Sequence, residues 1–204
     1  MMKLKRLSAC AVALGLAFVN PTVIGAKSPG HVPDSITQQG KTPPATKVVP
    51  HPKDWITYTD SKKGYSFDVP AGTEGEVSKD GFMEVYAAVT PSRIAVVVLT
   101  FKDPKKTKND LLNLATGTLK SLGNKDVGFE NLEDLSDDYA LADYFGVTPT
   151  GAHFKGKVLV ALDRTDNYVM LLGTEDKDFK ANEKIIDEIW GSFSMKSGGA
   201  SGKS

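Results

Sequence analysis

The chain has 204 residues, with 25 basic and 25 acidic side chains and a formal net charge of zero at neutral pH. This length suits one domain of ordinary size with flanking segments. The charge balance argues against a nucleic-acid partner, because binding to a phosphate backbone requires a clustered positive surface.

Residues 1–26 have the organisation of a secretory signal peptide. Basic residues at positions 3, 5 and 6 precede an apolar run from Leu7 to Val19, and Ile24-Gly25-Ala26 places a small residue at a cleavage position. The run is shorter than the roughly 20 residues that a membrane-spanning helix needs, which argues against an uncleaved anchor. We therefore expect cleavage after Ala26, an extracytoplasmic location, periplasmic or secreted, and no transmembrane segment after cleavage.

The single cysteine, Cys10, lies within this apolar run. Leu7-Ser8-Ala9-Cys10 resembles a lipoprotein cleavage box, which would tether the protein through a lipid on Cys10. Because Arg6 directly precedes this box, no apolar segment remains on its amino-terminal side, and Cys10 is better interpreted as part of the run. The exported chain would then have neither a disulfide nor a thiol nucleophile, so its stability must come from packing.

Residues 27–53 and 196–204 are predicted to flank the folded domain. The first segment holds six prolines, two histidines and no aromatic residue, a composition typical of a disordered linker. His31 and His51 are twenty residues apart with no cysteine or further histidine between them, which favours solvated linker histidines over a metal site. The second segment, KSGGASGKS, is typical of a flexible tail.

Residues 54–195 are predicted to be the folded domain, and they open with a hairpin. Trp55–Thr59 and Tyr65–Val69 have the composition of two strands, separated by a polar turn that ends in a glycine. In the second strand, the side chains alternate so that Tyr65, Phe67 and Val69 share one face. Pro70 is expected to end the hairpin.

A second hairpin forms the predicted centre of the domain. Phe82–Val89 and Ile94–Phe101 are β-branched and aromatic runs, and the turn between them contains a proline. The second run is apolar on both faces. One face carries Ile94, Val96 and Val98, and the other carries Ala95, Val97, Leu99 and Phe101. Such a strand lies in the interior of a sheet, so we expect both faces of the sheet to be covered.

A helix is predicted from about Asn109 to Leu122. Thr107 and Asp110 have the spacing of a capping box, with aspartate in place of the usual glutamate or glutamine, and Gly123 suits the carboxyl-terminal cap. The apolar residues fall on one side at helical spacing, and they are Leu111, Leu112, Ala115, Leu119 and Leu122. This side is expected to cover one face of the sheet.

The remaining elements are predicted to be strands of a meander and a second helix. The strands are Val127–Leu132, Tyr139–Val147, Phe154–Leu162 and Tyr168–Gly173. The helix spans about Asp178 to Trp190 and is expected to stop at Gly191, after which Phe193 and Met195 return to the core. The fold class is therefore α+β, an α/β/α sandwich with a largely antiparallel central sheet and two main covering helices.

Several of these segments resemble PsbP-like domains over residues 54–195. The resemblance is carried by Trp55-Ile56-Thr57-Tyr58-Thr59-Asp60, by Gly64-Tyr65-Ser66-Phe67-Asp68-Val69-Pro70, by the helix near position 110, and by the ending 185–193 with Ser192-Phe193. It implies an α/β/α sandwich, an extracytoplasmic or thylakoid-lumen location, and a role in binding or assembly. Photosynthetic members carry an amino-terminal segment that docks on photosystem II, which does not align with the linker here, so neither that partner nor a metal site is transferred.

No motif of catalysis or nucleotide binding occurs in the sequence. His153 is the one histidine of residues 54–195, with no G-x-S-x-G nucleophile elbow in the sequence, and Gly117 and Gly123 flank no phosphate-binding loop. Four residues are candidates for lining a ligand groove, although aromatic residues at strand spacing are also typical of a core. They are Trp55, Tyr58, Tyr144 and His153.

The stretch Glu130–Asp138 is the one local charge anomaly of the domain. It contains five carboxylates in nine residues and no cation, and oxygen ligands of this density can hold calcium outside the cytoplasm. The candidate ligands are Glu133, Asp134, Asp137 and Asp138. Because the spacing does not reproduce an EF-hand loop, a solvated loop that like charges keep extended is the simpler interpretation.

These observations favour an exported, non-enzymatic binding or assembly module of the cell envelope. Its expected partner is another envelope protein or a small ligand, and we expect no cofactor. The alternative is an extracytoplasmic hydrolase, or another enzyme, whose functional residues are scattered in sequence. A pocket with convergent titratable groups would favour the enzyme.

Overall fold

The computed structural model of the protein describes residues 54–163 and 166–195. The predicted signal peptide, the linker 27–53 and the tail 196–204 lie outside these residues. Neither helix in the described ranges is long and apolar enough to span a bilayer.

Ten strands and two helices are formed by the described residues, and each predicted element is present with ends within two residues of those expected. They are β1 (Trp55–Asp60), β2 (Tyr65–Pro70), β3 (Glu74–Asp80), β4 (Met83–Val89), β5 (Ala95–Phe101), α1 (Lys108–Ser121), β6 (Lys125–Asp134), β7 (Tyr139–Val147), β8 (His153–Leu162), β9 (Asn167–Glu175), α2 (Asp176–Gly191) and β10 (Ser194–Met195).

The strands form two antiparallel sheets. A seven-stranded sheet has the order β3-β4-β5-β9-β8-β7-β6, and a three-stranded sheet has the order β1-β2-β10. The two halves of the large sheet meet where β5 pairs with β9, with Val97 opposite Leu171. A largely antiparallel α+β fold with two helices is therefore confirmed.

Strand β5 is apolar and buried on both faces, as its sequence predicts. Val97 and Val98 have no exposed surface. The α1-side cluster joins one face of the large sheet to helix α1, and it includes Ala95, Val97, Leu99, Phe101, Leu111, Leu119, Tyr144, Phe154 and Leu171. The α2-side cluster joins the opposite face to helix α2 and the small sheet, and it includes Tyr65, Phe67, Tyr86, Ile94, Val96, Val98, Tyr168, Ile186, Trp190 and Phe193.

The ends of the helices follow the predicted caps in one case and not in the other. At the start of α1, the Asp110 amide donates to the Thr107 hydroxyl at 3.2 Å and the Thr107 amide donates to the Asp110 carboxylate at 2.9 Å, which completes the capping box. The prediction that Gly191 stops α2 is wrong, because Gly191 is its last helical residue. Ser192 caps this end instead, since its amide donates to the Glu188 carbonyl at 3.1 Å.

Strand β3 was not predicted. Its sequence EGEVSKD has one large apolar residue, Val77, and four charged residues, a composition that argues against a buried strand. As the edge strand of the sheet, however, β3 needs only one neighbour, and it pairs with β4 along its whole length. The dipeptide Asp80-Gly81 was the available signal, because it is typical of a tight hairpin turn.

Candidate functional site

The four predicted groove residues do not come together. Tyr144 is completely buried within the α1-side cluster, and His153 is exposed at the start of β8. Trp55 and Tyr58, both on β1, are half-buried and pack against the α2-side cluster on the opposite face of the large sheet. A single groove lined by all four is therefore not formed, and only Trp55 and Tyr58 share a region.

Tyr144 fills a space that two glycines leave in the sheet. A Cβ at Gly156 would lie 2.7 Å from the Tyr144 ring, and a Cβ at Gly173 would overlap the Tyr144 hydroxyl. That hydroxyl is buried without a hydrogen-bond partner among the described residues. Burial raises the pKa of Tyr144, so the phenol stays neutral. Tyr144 is thus a core residue.

The acidic stretch is partly a strand and is paired with distant lysines. The extended-loop interpretation is wrong for Glu130–Asp134, because these residues form the end of β6, where Glu130, Glu133 and Asp134 pair with β7. Lys108 lies 2.8 Å from the Asp134 carboxylate and also donates to the Ser136 carbonyl at 2.7 Å. Within the described ranges, His, Cys, Asp and Glu nowhere form a group of three or more that could hold a metal ion.

A cleft of about 180 Å³ lies between this stretch and the amino-terminal end of α1. Its lining consists of Thr107, Lys108, Asn109, Leu112, Leu132, Asp134 and Ala140. The two charged groups in the lining, Lys108 and Asp134, form the ion pair described above. The cleft therefore gathers one neutralised pair rather than a set of convergent acids and bases.

Aromatic packing joins the small sheet to the edge of the large sheet. The Tyr58 ring lies 4.1 Å from the Tyr86 ring and 5.3 Å from the Phe67 ring, measured between centroids. Burial, with a smaller contribution from the Asp60 carboxylate, raises the pKa of Tyr58 to about 12, so this contact carries no charge near neutral pH.

Two exposed aliphatic side chains border the contact between Tyr58 and Tyr86. Ile56 lies two residues before Tyr58 on the same face of β1, and Val77 on β3 is directly opposite Tyr86. Ile56 and Val77 are each 49% exposed. We call Ile56, Tyr58, Val77 and Tyr86 the β1–β3 surface. Ile56 and Tyr58 lie on β1 and Val77 lies on β3, two strands that are each at the edge of a sheet, and Tyr86 lies on the neighbouring strand β4.

A pair of carboxyl groups lies at one end of this surface. Burial, followed by a hydrogen bond and charge repulsion from Asp60, raises the pKa of Glu84 on β4. Asp60 is held in place because one of its oxygens accepts hydrogen bonds from the Lys62 and Lys63 amides at 2.9 and 3.0 Å. Lys79 on β3 lies 4.0 Å from the Glu84 carboxylate. The raised pKa of Glu84 therefore reflects both its burial and the nearby Asp60 carboxyl at the end of β1.

Sequence reasoning identified Trp55 and Tyr58 in this region but missed Ile56, Val77 and Glu84. Val77 lies in β3, the strand that was not predicted. The sequence around Ile56 does not indicate that this side chain is half exposed. The contact between Tyr58 and Tyr86 depends on how the small sheet packs on the large one, which no local pattern encodes.

Comparison with known proteins identifies the fold. No protein-family model matches the chain, and no curated protein matches it. The solution structure of cyanobacterial PsbP (CyanoP) from Synechocystis sp. PCC 6803 is similar to the chain with a TM-score of 0.55 and 18% identity, over 74% of this chain and 98% of that one.

Two further solved structures are more distant. LpqN, described as involved in cell envelope biogenesis of Mycobacterium tuberculosis, has a TM-score of 0.38 and 13% identity, over 72% of this chain and 81% of that one. PA94 from Pseudomonas aeruginosa, a protein of unknown function described as a putative regulator, has a TM-score of 0.36 and 13% identity, over 64% and 89%. The similarity to CyanoP supports a PsbP-like fold for this chain, and the fold alone.

Proposed function

We propose that the chain is an exported, non-enzymatic module of the cell envelope that binds another envelope protein through the β1–β3 surface. The observation that carries this proposal is the half-exposed pair Ile56 and Val77 on either side of the Tyr58–Tyr86 contact. Protein interfaces combine aromatic residues with apolar side chains in the same way, and rigid strands hold them at little cost in entropy.

The location and the layer arrangement are part of the same proposal. The signal-peptide pattern of residues 1–26 and the PsbP-like fold are consistent with a protein that works outside the cytoplasm. The α1-side and α2-side clusters lie on opposite faces of the large sheet, which supports an α/β/α sandwich. In this arrangement the β1–β3 surface lies at one edge of the sandwich.

A protein partner suits this surface better than a small ligand does. Small ligands are bound in clefts of about 300–1,000 Å³ that enclose most of their surface. The β1–β3 surface instead consists of side chains on the edge strands β1 and β3 and on the adjoining strand β4. The cleft near α1 has a volume of about 180 Å³. Contiguous exposed apolar patches are typical of protein contacts.

The alternative, an extracytoplasmic hydrolase or other enzyme, is favoured by one observation. Asp60 and Glu84 form a carboxyl pair in which the pKa of Glu84 is raised, the kind of perturbation that acid–base catalysts show. The Glu84 side chain is only 15% exposed, and Asp60 is bound by two backbone amides. We therefore assign this pair a structural role in joining the two sheets.

Site-specific photo-crosslinking tests the proposal. A photoreactive residue is placed at position 56 or 77 in the full chain and expressed in cells of the source organism. The matched control carries it at position 132, because Leu132 is similarly exposed but lies on β6 at the opposite edge of the sheet. We expect a discrete protein adduct from positions 56 and 77 that is absent from position 132.

The adduct from position 56 should disappear with Val77→Asp, and the adduct from position 77 should disappear with Ile56→Asp. Leu132→Asp should leave both adducts unchanged. Equal crosslinking from all three positions would contradict a defined surface. The export claim is checked separately, because the chain recovered from the envelope should begin at Lys27 by mass spectrometry.

A further inference from the structure

The two edges of the seven-stranded sheet differ in regularity. Among the described strands, β3 pairs only with β4, in an unbroken register from Glu74↔Val89 to Asp80↔Met83. At the other edge, the pairing of β6 with β7 shifts register twice, and β6 contains two non-glycine residues at positive φ. Bulges of this kind protect a sheet edge from further pairing. The β3 edge has no such irregularity.

The turn between β3 and β4 determines which backbone groups of β3 point outward. Only Gly81 and Phe82 separate Asp80 from Met83, and Gly81 has a φ of 60°, as in a two-residue hairpin turn. The residues that close such a turn exchange hydrogen bonds, and hydrogen-bonded and non-hydrogen-bonded pairs then alternate along the ladder. By this alternation, β3 directs the N–H and C=O groups of residues 75, 77 and 79 away from β4.

These outward groups are accessible. Gly75, Val77 and Lys79 are exposed, and none of their backbone groups bonds to a described residue outside β4. A side chain at position 75 would clash with its neighbours, because a Cβ there would lie 2.6 Å from the Ala88 Cβ and 2.9 Å from the Tyr86 hydroxyl. Because glycine has no side chain, another strand can also approach the backbone closely at this position.

The side chains of β3 specify the chemistry of such a strand. Glu74 and Glu76 lie opposite Val89 and Ala87, so they share the α1-side face, and both are exposed. Val77 lies on the other face, within the β1–β3 surface. Residues directly opposite each other on paired strands share a face, and opposite charges there are stabilising. A complementary strand therefore alternates basic residues with apolar residues.

A second copy of this chain does not meet this requirement. Consider two copies that pair through β3 in antiparallel orientation, with their α1-side faces on the same side of the joined sheet. The residue numbers of any two residues that lie opposite each other then differ by zero or an even number. Each such register that overlaps most of EGEVSKD sets acidic residues of one copy opposite acidic residues of the other. Like charges directly opposite are destabilising, so the edge selects against self-association.

We propose that β3 binds an extended segment of another protein as an eighth strand of the large sheet, with Lys or Arg facing Glu74 and Glu76 and apolar side chains on the Val77 face. This rests on the proposed function, since it specifies the partner of the same surface. The ladder hydrogen bonds supply affinity, and the alternating side chains supply specificity.

Binding of synthetic heptapeptides to residues 27–204 tests the proposal. The probe is an end-blocked, fluorescently labelled peptide of alternating lysine and valine, which matches the seven residues of β3. We expect it to bind and to slow hydrogen exchange at the amides of Val77 and Lys79. A glutamate–valine peptide, and a lysine–valine peptide with alternate N-methylated amides, should each bind at least about tenfold more weakly.

Protein variants separate charge from backbone pairing. Glu74→Lys with Glu76→Lys should reverse the preference between the two peptides, whereas Glu133→Lys, an exposed acid on the other edge strand, should not. Val77→Pro removes an outward amide and should abolish the slowed exchange. Val77→Thr keeps that amide and should retain binding. Circular dichroism and the melting temperature verify that each variant is folded.

Four outcomes would overturn strand addition. The first two are equal binding of the lysine–valine and glutamate–valine peptides, and peptide binding that is unchanged in a folded Val77→Pro protein. The third is a dimer of this chain that Val77→Pro dissociates. The fourth is hydrogen exchange at the β3 amides that is slow without peptide in residues 27–204 but fast in residues 54–195, since the chain's own linker would then cover β3. The proposed function fails separately. If the crosslinks from positions 56 and 77 persist in the charge-reversed variant, and the crosslink from position 56 persists in Val77→Pro, the binding module stands and strand addition is wrong.

Discussion

Replacing Tyr144 by phenylalanine is expected to stabilise the protein, which is unusual for a mutation at a completely buried position. The Tyr144 hydroxyl is removed from water on folding, yet no described residue hydrogen-bonds to it. Leaving such a group unpaired costs about 1–3 kcal/mol. Deleting the oxygen forfeits its packing against Gly173, at about 1 kcal/mol for a group of this size. The balance is a gain of about 1 kcal/mol in the free energy of unfolding.

Tyr168→Phe is the matched control. Tyr168 is equally buried, but its hydroxyl donates to the Lys63 carbonyl at 2.6 Å. Losing this hydrogen bond should cost about 1 kcal/mol, so the two variants should differ by about 2 kcal/mol. A difference of that size corresponds to several degrees in melting temperature for a domain of this length.

Urea unfolding at 25 °C measures both effects, provided that the denaturant dependence of the free energy is the same in each variant. If Tyr144→Phe loses as much stability as Tyr168→Phe, the Tyr144 hydroxyl has a partner in solution. In that case, a buried water between α1 and the sheet is the candidate, and the account of Tyr144 as an unpaired core residue is wrong.

The elements that sequence predicted well are those whose evidence is local. The two apolar faces of β5 follow from side-chain alternation, and the capping box of α1 follows from Thr107 and Asp110 alone. Strand β3 was not predicted from the sequence, because an edge strand pairs with only one neighbour and can be mostly charged. Its own composition therefore carried almost no signal.

The candidate site was less accessible to sequence because it depends on contacts between distant segments. The place of Tyr144 in the core depends on register, which aligns it with Gly156 and Gly173 on the next two strands. The acidic stretch looked isolated because its counter-ions, Lys108 and Lys155, come from other elements. Periodicity identifies which side chains share a face of one strand, but not which strand lies beside it.

Three further predictions test these contacts. Gly173→Ala should destabilise the protein by about 1–3 kcal/mol through overpacking against the Tyr144 hydroxyl, and by less in the Tyr144→Phe background, as a double-mutant cycle of unfolding free energies would measure. Calcium titration should give no saturable rise in melting temperature, because Asp134 already pairs with Lys108. A saturable rise that is abolished by Asp137→Asn combined with Asp138→Asn would instead locate a metal site in the acidic stretch. The pH dependence of stability should report the pair of Asp60 and Glu84. Because the pKa of Glu84 is raised in the folded protein above its ordinary value of 4.5, the folded state binds the proton more tightly than the unfolded state does. This contribution is complete below the unfolded pKa and is lost as the pH rises through the folded pKa. Glu84→Gln keeps a neutral side chain at every pH, so its stability relative to the original protein should increase from pH 4 to pH 7 in urea unfolding. A constant difference across that range would mean that Glu84 does not change its protonation on folding, and that the two sheets are joined there without a shared proton.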